Sequence, residues 1–405
     1  IVDFPDLPKR IWTSLFDVIY SRYTEKTKGA DKSSEVLAVL HDYLDRLAIG
    51  SKMNLFSLQS PTSIKYEGDD AKVFSDRNAF ISISDLEELA NHCRSNYVEF
   101  VPAVNGPSHA TWLTSKFRNL ILKGYTNYDA DPSNPDFFKY LFTLYDELIN
   151  ASKPKYFFIW SDEWWHKPTG PVSVSWKGKQ RREIYLETIL KIYKYFKSRD
   201  IRMMMFTDML WREHNGGKPY DNYLNATKIP KDVIMCTWGK GDTVKYFAEL
   251  GHSSWYIGNM CARTTRISPT KLKGVKNFNG LGVINYSSIS PDYGYGAAGM
   301  IRTADWAWNF WHDPGMPFDD WLYQYGLNVM AMYSVRHNPS ASTEYVSLDF
   351  SSLCNDSYDS KKNRWHIAGL PQGKVKIGFI PTLINPKNSA KNIIRAEDKN
   401  IAIPV

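Results

Sequence analysis

Eight short apolar runs recur along the chain as far as residue 288, separated by segments with helical spacing. No other feature constrains the fold as much. The runs are KRIWTSLF, MNLFSLQ, VEFVPAV, YFFIWS, IRMMMFTD, DVIMCTWG, SSWYIGN and GLGVINYSS. Between them, SSEVLAVLHDYLDRLAIG places apolar residues at helical intervals and ends on Gly50. SDLEELANHCRS opens with Ser84 as an N-cap candidate and Glu87 three residues on. RREIYLETILKIYKYFKSRD carries the clearest apolar stripe, and FDDWLYQYGLNVMAMYSV is the last helical segment. Strands alternating with helices make parallel βαβ units, and eight of them close a (β/α)8 TIM barrel. A doubly wound open sheet is the competing architecture. It requires a glycine-rich phosphate turn after the first strand, and FDVIYSRY contains none. Beyond residue 335 the helical periodicity fades into turn clusters and short β-type runs. The expected organisation is therefore a barrel over 1–335 and a small β-rich C-terminal extension over 336–405, an incomplete sandwich domain.

The chain has 405 residues, 43% of them hydrophobic, which suffices for a full-size core. Aromatics reach 15%, with 14 Trp and 25 Tyr. Two readings share that excess: a large aromatic core, or a carbohydrate site in which rings stack on the apolar faces of sugars. The net charge of +7 is mild for this length, and its lysines are scattered apart from SKK and KLKGVK. That pattern reads as solvated faces rather than a nucleic-acid groove, and leaves an anionic ligand open. No run reaches the roughly 18 apolar residues of a membrane span. Cys93, Cys236, Cys261 and Cys354 form no metal-type spacing and read as free or buried thiols. Asn225, Asn285 and Asn355 stand in N-x-S/T sequons at a chance frequency. The chain opens on Ile1, so the N-terminus is expected to have been processed or trimmed. No leader is visible, and the expected location is secreted or periplasmic. The oligomeric state is not set by anything in the sequence.

A barrel carries its site at the C-terminal ends of its strands. Those ends hold Asn105 and His109 after the third run and Asp162 and Glu163 after the fourth. Asp208 follows the fifth, Trp238 the sixth, and Tyr256 and Asn259 the seventh. Tyr286, Asp305, Trp306 and Trp308 follow the eighth. Each has a plain alternative: Asp162 and Asp208 as helix caps, Glu163 as a solvated loop residue, His109 as a structural histidine, the tryptophans as core. Their joint placement on one face favours a site. The stretch YFFIWSDEWWH concentrates it, because an apolar strand runs straight into two adjacent carboxylates. Like charges at close range resist joint ionisation, and flanking tryptophans lower the local dielectric, so one carboxyl can stay protonated as a general acid.

These residues resemble family 20 glycoside hydrolases, the β-N-acetylhexosaminidases, over roughly residues 1–335. IVDFPDLPKR is similar to the family opening D-x-P-x-x-x-x-R, which implies that Arg10 binds sugar hydroxyls. LDRLAIGSKMNLFSLQ resembles M-A-x-x-K-x-N-x-x-H. VPAVNGPSHA resembles I-P-E-I-D-M-P-G-H-S, placing His109 at the motif histidine. FIWSDE resembles the signature H-I-G-G-D-E, placing Asp162 and Glu163 at the catalytic pair. The MMFTDML and VIMCTWG segments resemble those that supply pocket tryptophans, with Trp238 the better match, and DWAW resembles W-x-E with Trp306 at the tryptophan. The resemblance implies substrate-assisted catalysis on terminal β-linked N-acetylhexosamines, GlcNAc or GalNAc, with retention. Glu163 would protonate the leaving oxygen and Asp162 would hold the acetamido group, walled by Trp238, Trp306 and Tyr256. The implied partner is a carbohydrate, and no metal or organic cofactor is implied.

The chain departs from the family around this pair. Phe158-Ile159-Trp160-Ser161 stands for H-I-G-G, Asn105 for the motif aspartate, Ala103 for its glutamate and Trp308 for the late glutamate. Tyr256-Ile257-Gly258 lacks the aspartate that follows the tyrosine, and FSLQSPTS lacks the acidic run that would partner His109. Two competing functions follow: a non-catalytic glycan-binding barrel, and a glycosidase of another family using two separated carboxylates, Asp208 or Asp305 being the second.

Overall fold

A computed structural model of the chain describes residues 5–15, 52–59, 61–75, 81–122, 128–164, 178–238, 242–260, 269–278 and 280–287, with shorter pieces at 37, 40–41, 44–49, 79, 175–176, 303–304, 307, 357–359 and 364–366. The eight apolar runs are eight strands: β1 Lys9–Leu15, β2 Leu55–Gln59, β3 Glu99–Ala103, β4 Tyr156–Phe158, β5 Arg202–Phe206, β6 Ile234–Thr237, β7 Ser254–Met260 and β8 Gly282–Ser287. Each pairs in parallel with its neighbours in sequence, and β8 closes on β1 through the register Lys9↔Gly282 to Ser14↔Ser287. The (β/α)8 barrel is thus the observed fold, and the open sheet is excluded.

Strand alternation builds two layers. Ile11, Leu55, Val101, Met204, Ile234, Trp255 and Ile284 fill the lumen, topped by Phe158, Trp160, Phe206 and Tyr286. Their sequence neighbours face the helices: Tyr256 and Val283 pack with Leu7, Val244, Leu272 and Val275. The described helices of eight residues or more are α1 Ile83–Ser95, α2 Pro135–Ser152, α3 Arg181–Lys197, α4 Asp242–Glu249 and α5 Pro269–Asn277, with Leu44–Ile49 a turn of π-helix before β2.

Two details correct the sequence reading. The α1 cap is Ser82 with Asp85, not Ser84 with Glu87: Ser82 is extended, its hydroxyl accepts from Asp85 N–H, and the Asp85 carboxylate accepts from Ser82 N–H. The 18-residue α2, started by Asn134 and Pro135, went unnoticed in the sequence. The FDDWLYQYGLNVMAMYSV segment lies outside the described residues.

Two compact units divide the chain: 1–289 with 299–312, and 290–298 with 313–405. The first holds the barrel. In the second, the described residues form a two-stranded antiparallel sheet, Ser357–Asp359 with Arg364–His366. Cys93 and Cys236 are buried free thiols whose pKa burial pushes up. Asn225 and Asn285 are buried, so neither sequon presents its side chain in the folded state. Among the described residues no helix is long and apolar enough to cross a membrane.

Candidate active site

The backbone that follows β4 turns three times through left-handed space. Trp160, Ser161 and Glu163 have φ of +59°, +61° and +53°. Side chains with a Cβ are disfavoured there, which is the physical reason a glycine pair suits this segment in the resembling motif. Here contacts hold the turn instead. Trp160 C=O accepts from Phe206 N–H (2.8 Å), and Ile159 N–H donates to Met204 C=O (3.0 Å). Ser161 Oγ donates to Gly106 C=O (2.6 Å), and Tyr185 Oη donates to Ser161 C=O (3.2 Å). Glu163 N–H donates to Asp208 Oδ2 (2.8 Å). The Trp160 ring then lies over the top of the lumen, 5.2 Å from Phe206 and 5.4 Å from Tyr286 between centroids.

That path presents Asp162 and Glu163 together. His109, itself at φ +47° after β3, meets both. Its Nε2 lies 3.3 Å from Glu163 Oε2 and 3.8 Å from Asp162 Oδ2. One ring nitrogen and one oxygen from each carboxylate fall within 4.8 Å of one another. Burial by itself would lower the His109 pKa. The hydrogen bond to Glu163 and the negative charges of Asp162, Glu163 and Asp129 outweigh burial and raise it. The acidic partners of His109 are therefore the carboxylate pair, in place of the second-strand acid that the sequence lacks. The same three groups are a chemically competent metal-ligand set.

Asp208 stands behind the pair. It is buried, and its Oδ2 accepts from both Glu163 N–H and Asn215 Nδ2 (2.8 Å each). Burial, then the charge of Asp162, push its carboxyl up to about 8. Asp208 thus holds the backbone of Glu163, a placement different from the sugar ligand or second catalytic carboxylate that the sequence reading expects. Trp238 follows β6, packs on the lumen cluster, and meets the ring of His214 edge-on at 4.3 Å. Burial lowers the His214 pKa while the charge of Glu163 opposes that, so His214 belongs to the same neighbourhood.

Other expected residues are placed elsewhere. Arg10 is the second residue of β1, five positions before its C-terminal end, or roughly 16 Å along a strand. It is buried there, and its guanidinium donates to Lys52 C=O and Leu7 C=O. A sugar at the opposite end is out of its reach. Tyr256 faces the outer layer, because Trp255 and Ile257 occupy the lumen and alternation sends the residue between them outward. Asn105 is buried, with its Oδ1 accepting from Gln59 Nε2 (2.8 Å). Trp306, with Asp305 and Trp308, lies outside the described residues.

The sequence reading missed His214, Asp129 and Arg181. Only Arg181 left a signal: a cation in the first turn of a helix opposes the helix dipole and asks for a reason.

Comparison with known proteins bears on the family and the fold. Residues 41–256, just over half of the chain, match the family described as Glycosyl hydrolase family 20, catalytic domain. A chitobiase of Flavobacterium johnsoniae is 14% identical with a TM-score of 0.56, the alignment covering 84% of this chain and 54% of that one. A GH20 exo β-N-acetylglucosaminidase of Vibrio harveyi, solved with N-acetylglucosamine, is 12% identical with a TM-score of 0.57, covering 83% and 59%. A β-N-acetylhexosaminidase of Bacteroides fragilis is 13% identical with a TM-score of 0.56, covering 83% and 72%. The chain spans a little over half the length of the first two structures. No curated protein sequence matches.

Proposed function

The chain belongs to glycosyl hydrolase family 20, and from that membership and the Asp162–Glu163–His109 cluster we propose that it is an exo-acting, retaining β-N-acetylhexosaminidase. The observation that carries the reading is the convergence of one Asp162 oxygen, one Glu163 oxygen and a His109 nitrogen at the mouth of the barrel. Glu163 is partly exposed and Asp162 nearly buried, which suits different tasks for the two. Glu163 donates its proton to the glycosidic oxygen as the C1–O bond breaks. The carbonyl oxygen of the 2-acetamido group closes on C1 from the other face, and Asp162 holds the acetamido N–H and balances the oxazolinium charge. Water then adds to C1, returns its proton to Glu163 and reopens the ring with retained configuration. His109 balances the two carboxylates. Trp238 supplies an apolar wall for the acetamido methyl.

Aryl β-GlcNAc and aryl β-GalNAc glycosides test the reading, with Glu163→Gln as the control. The expected loss of kcat for removing a general acid is about 10²–10⁴-fold, and a thiazoline that mimics the oxazolinium is expected to bind. Activity that survives Glu163→Gln sinks the assignment. A panel with no turnover, and sugar binding indifferent to Glu163→Gln, establishes the glycan-binding alternative.

A further inference from the structure

The loop bearing Glu163 and the loop bearing His109 are joined from behind by a side chain that the chemistry above does not use. Arg181 opens α3 and its side chain is 3% exposed. A single guanidinium nitrogen, Nη2, donates both to Asp129 Oδ2 (3.1 Å) and to Trp164 C=O (2.9 Å), the carbonyl next after Glu163. The guanidinium carbon lies over two rings, 4.3 Å from the Trp164 centroid and 4.7 Å from that of Tyr220. Asp129, fully buried, is tied in turn to the histidine loop. On one side of it Tyr128 C=O accepts from Ala110 N–H, and on the other Ala130 N–H donates to Pro107 C=O (2.8 Å each). These two bonds bracket Ser108 and His109.

We propose that Arg181, through its ion pair with Asp129, is a positioning residue that fixes the spacing between Glu163 and His109. Three features support this over a purely structural pair. The bridge spans two segments far apart in sequence and ends at residues adjacent to the reacting groups. The charge of Asp129 reaches His109 and contributes to its raised proton affinity. The delocalised guanidinium also packs on the Trp164 and Tyr220 rings, a contact that a compact, strongly hydrated ammonium reproduces poorly.

The kinetic readout rests on the proposed activity, so a second readout is chosen that does not. Arg181→Lys and the double variant Arg181→Met/Asp129→Asn are compared with the wild type by thermal melting, by kcat and KM on an aryl β-GlcNAc glycoside, and by histidine NMR titration, with His109→Asn assigning the signal. The double variant leaves no unpaired buried charge and is expected to melt near the wild type. Its kcat is expected to fall by at least about tenfold, since small misplacements of reacting groups cost that much or more, with KM little changed. Its His109 is expected to titrate at lower pH. Arg181→Lys keeps the charge but is expected to lose kcat as well. A folded double variant with kcat within about twofold of wild type and an unmoved His109 titration overturns the proposal. If the double variant does not fold, Arg181→Lys decides: wild-type kcat overturns it, and reduced kcat at an unchanged melting point supports it. If the wild type hydrolyses none of the amino-sugar glycosides, the functional reading fails alone, and the His109 titration still decides the bridge.

Discussion

Ser161 occupies a left-handed backbone conformation that costs a residue with a Cβ about 1–2 kcal/mol, while its hydroxyl donates to the buried carbonyl of Gly106 at 2.6 Å. The two effects separate by substitution. Ser161→Ala keeps the strain and loses the hydrogen bond, leaving the Gly106 carbonyl unpaired, and is expected to destabilise by about 1–3 kcal/mol. Ser161→Gly loses the same bond but relieves the strain, and is expected to lie within about 1 kcal/mol of wild type. Glycine more stable than alanine, measured by urea unfolding, is the reverse of the ordinary order; alanine equal to or better than glycine removes the strain argument. Asp208 gives the pH prediction. Burial and Asp162 raise its folded pKa to about 8, above the unfolded carboxylate value near 4. The folded state then holds the proton longer, so this group's contribution to stability is full below about pH 4 and is lost as pH rises through 8. Asp208→Asn mimics the protonated acid and still accepts from Glu163 N–H. Its unfolding free energy is expected to be flatter than wild type between pH 4 and 8 in denaturant titrations at a series of pH values; an unchanged slope removes the assignment. At this scale the sequence singles out Asp162, Glu163 and His109 as candidates because each sits in a short local motif, VPAVNGPSHA or FIWSDE. It hid the work of Asp208, Asp129 and Arg181, whose partners lie 45, 52 and 17 positions away.

Elements were more legible than the residues within them. Lumen-filling strands bury both faces, so all eight read as continuous apolar runs. The same continuity conceals which face a given side chain takes. The resemblance sets Tyr256 at the pocket wall, and nothing in SSWYIGN distinguishes Trp255 and Ile257 from the residue between them; β7 also shifts register between Ile257 and Asn259. Helix ends depend on backbone geometry that composition does not carry: Ser82 and Ser84 are chemically equal cap candidates, and only the extended φ and ψ of Ser82 decide between them. The end of α2 offers a test of that geometry. Lys153 holds the C-cap at φ +45°, its N–H donating to Ile149 C=O at 2.8 Å. Glycine is the residue this turn favours. Lys153→Gly is expected to raise stability by about 0.5–1 kcal/mol, seen as a higher urea midpoint with an unchanged m-value. A lower midpoint means that side-chain contacts of Lys153 outweigh its backbone strain.

At the scale of the molecule, closure is what the chain cannot do without. The region matching the family runs from residue 41 to 256, so it begins after β1 and stops within β7. β1 is hydrogen-bonded along its length to β2 on one side and β8 on the other. A fragment of 41–256 therefore loses β1 and β8 together. It exposes the edge of β2 and a truncated β7, and it opens a lumen in which Ile11, Ile284 and Tyr286 fill space. Open edges of a parallel sheet with both faces apolar have no solvated alternative. The missing strands also form the strand pairing of greatest sequence separation, Lys9↔Gly282, which joins the two ends of the barrel. Such a fragment is expected to aggregate, or to retain helical far-UV circular dichroism without a near-UV signal or a cooperative melt. The full chain is expected to show both. A cooperative melt with a native-like near-UV spectrum from 41–256 would mean that the barrel is stabilised locally, repeat by repeat, and that closure through β1 is dispensable.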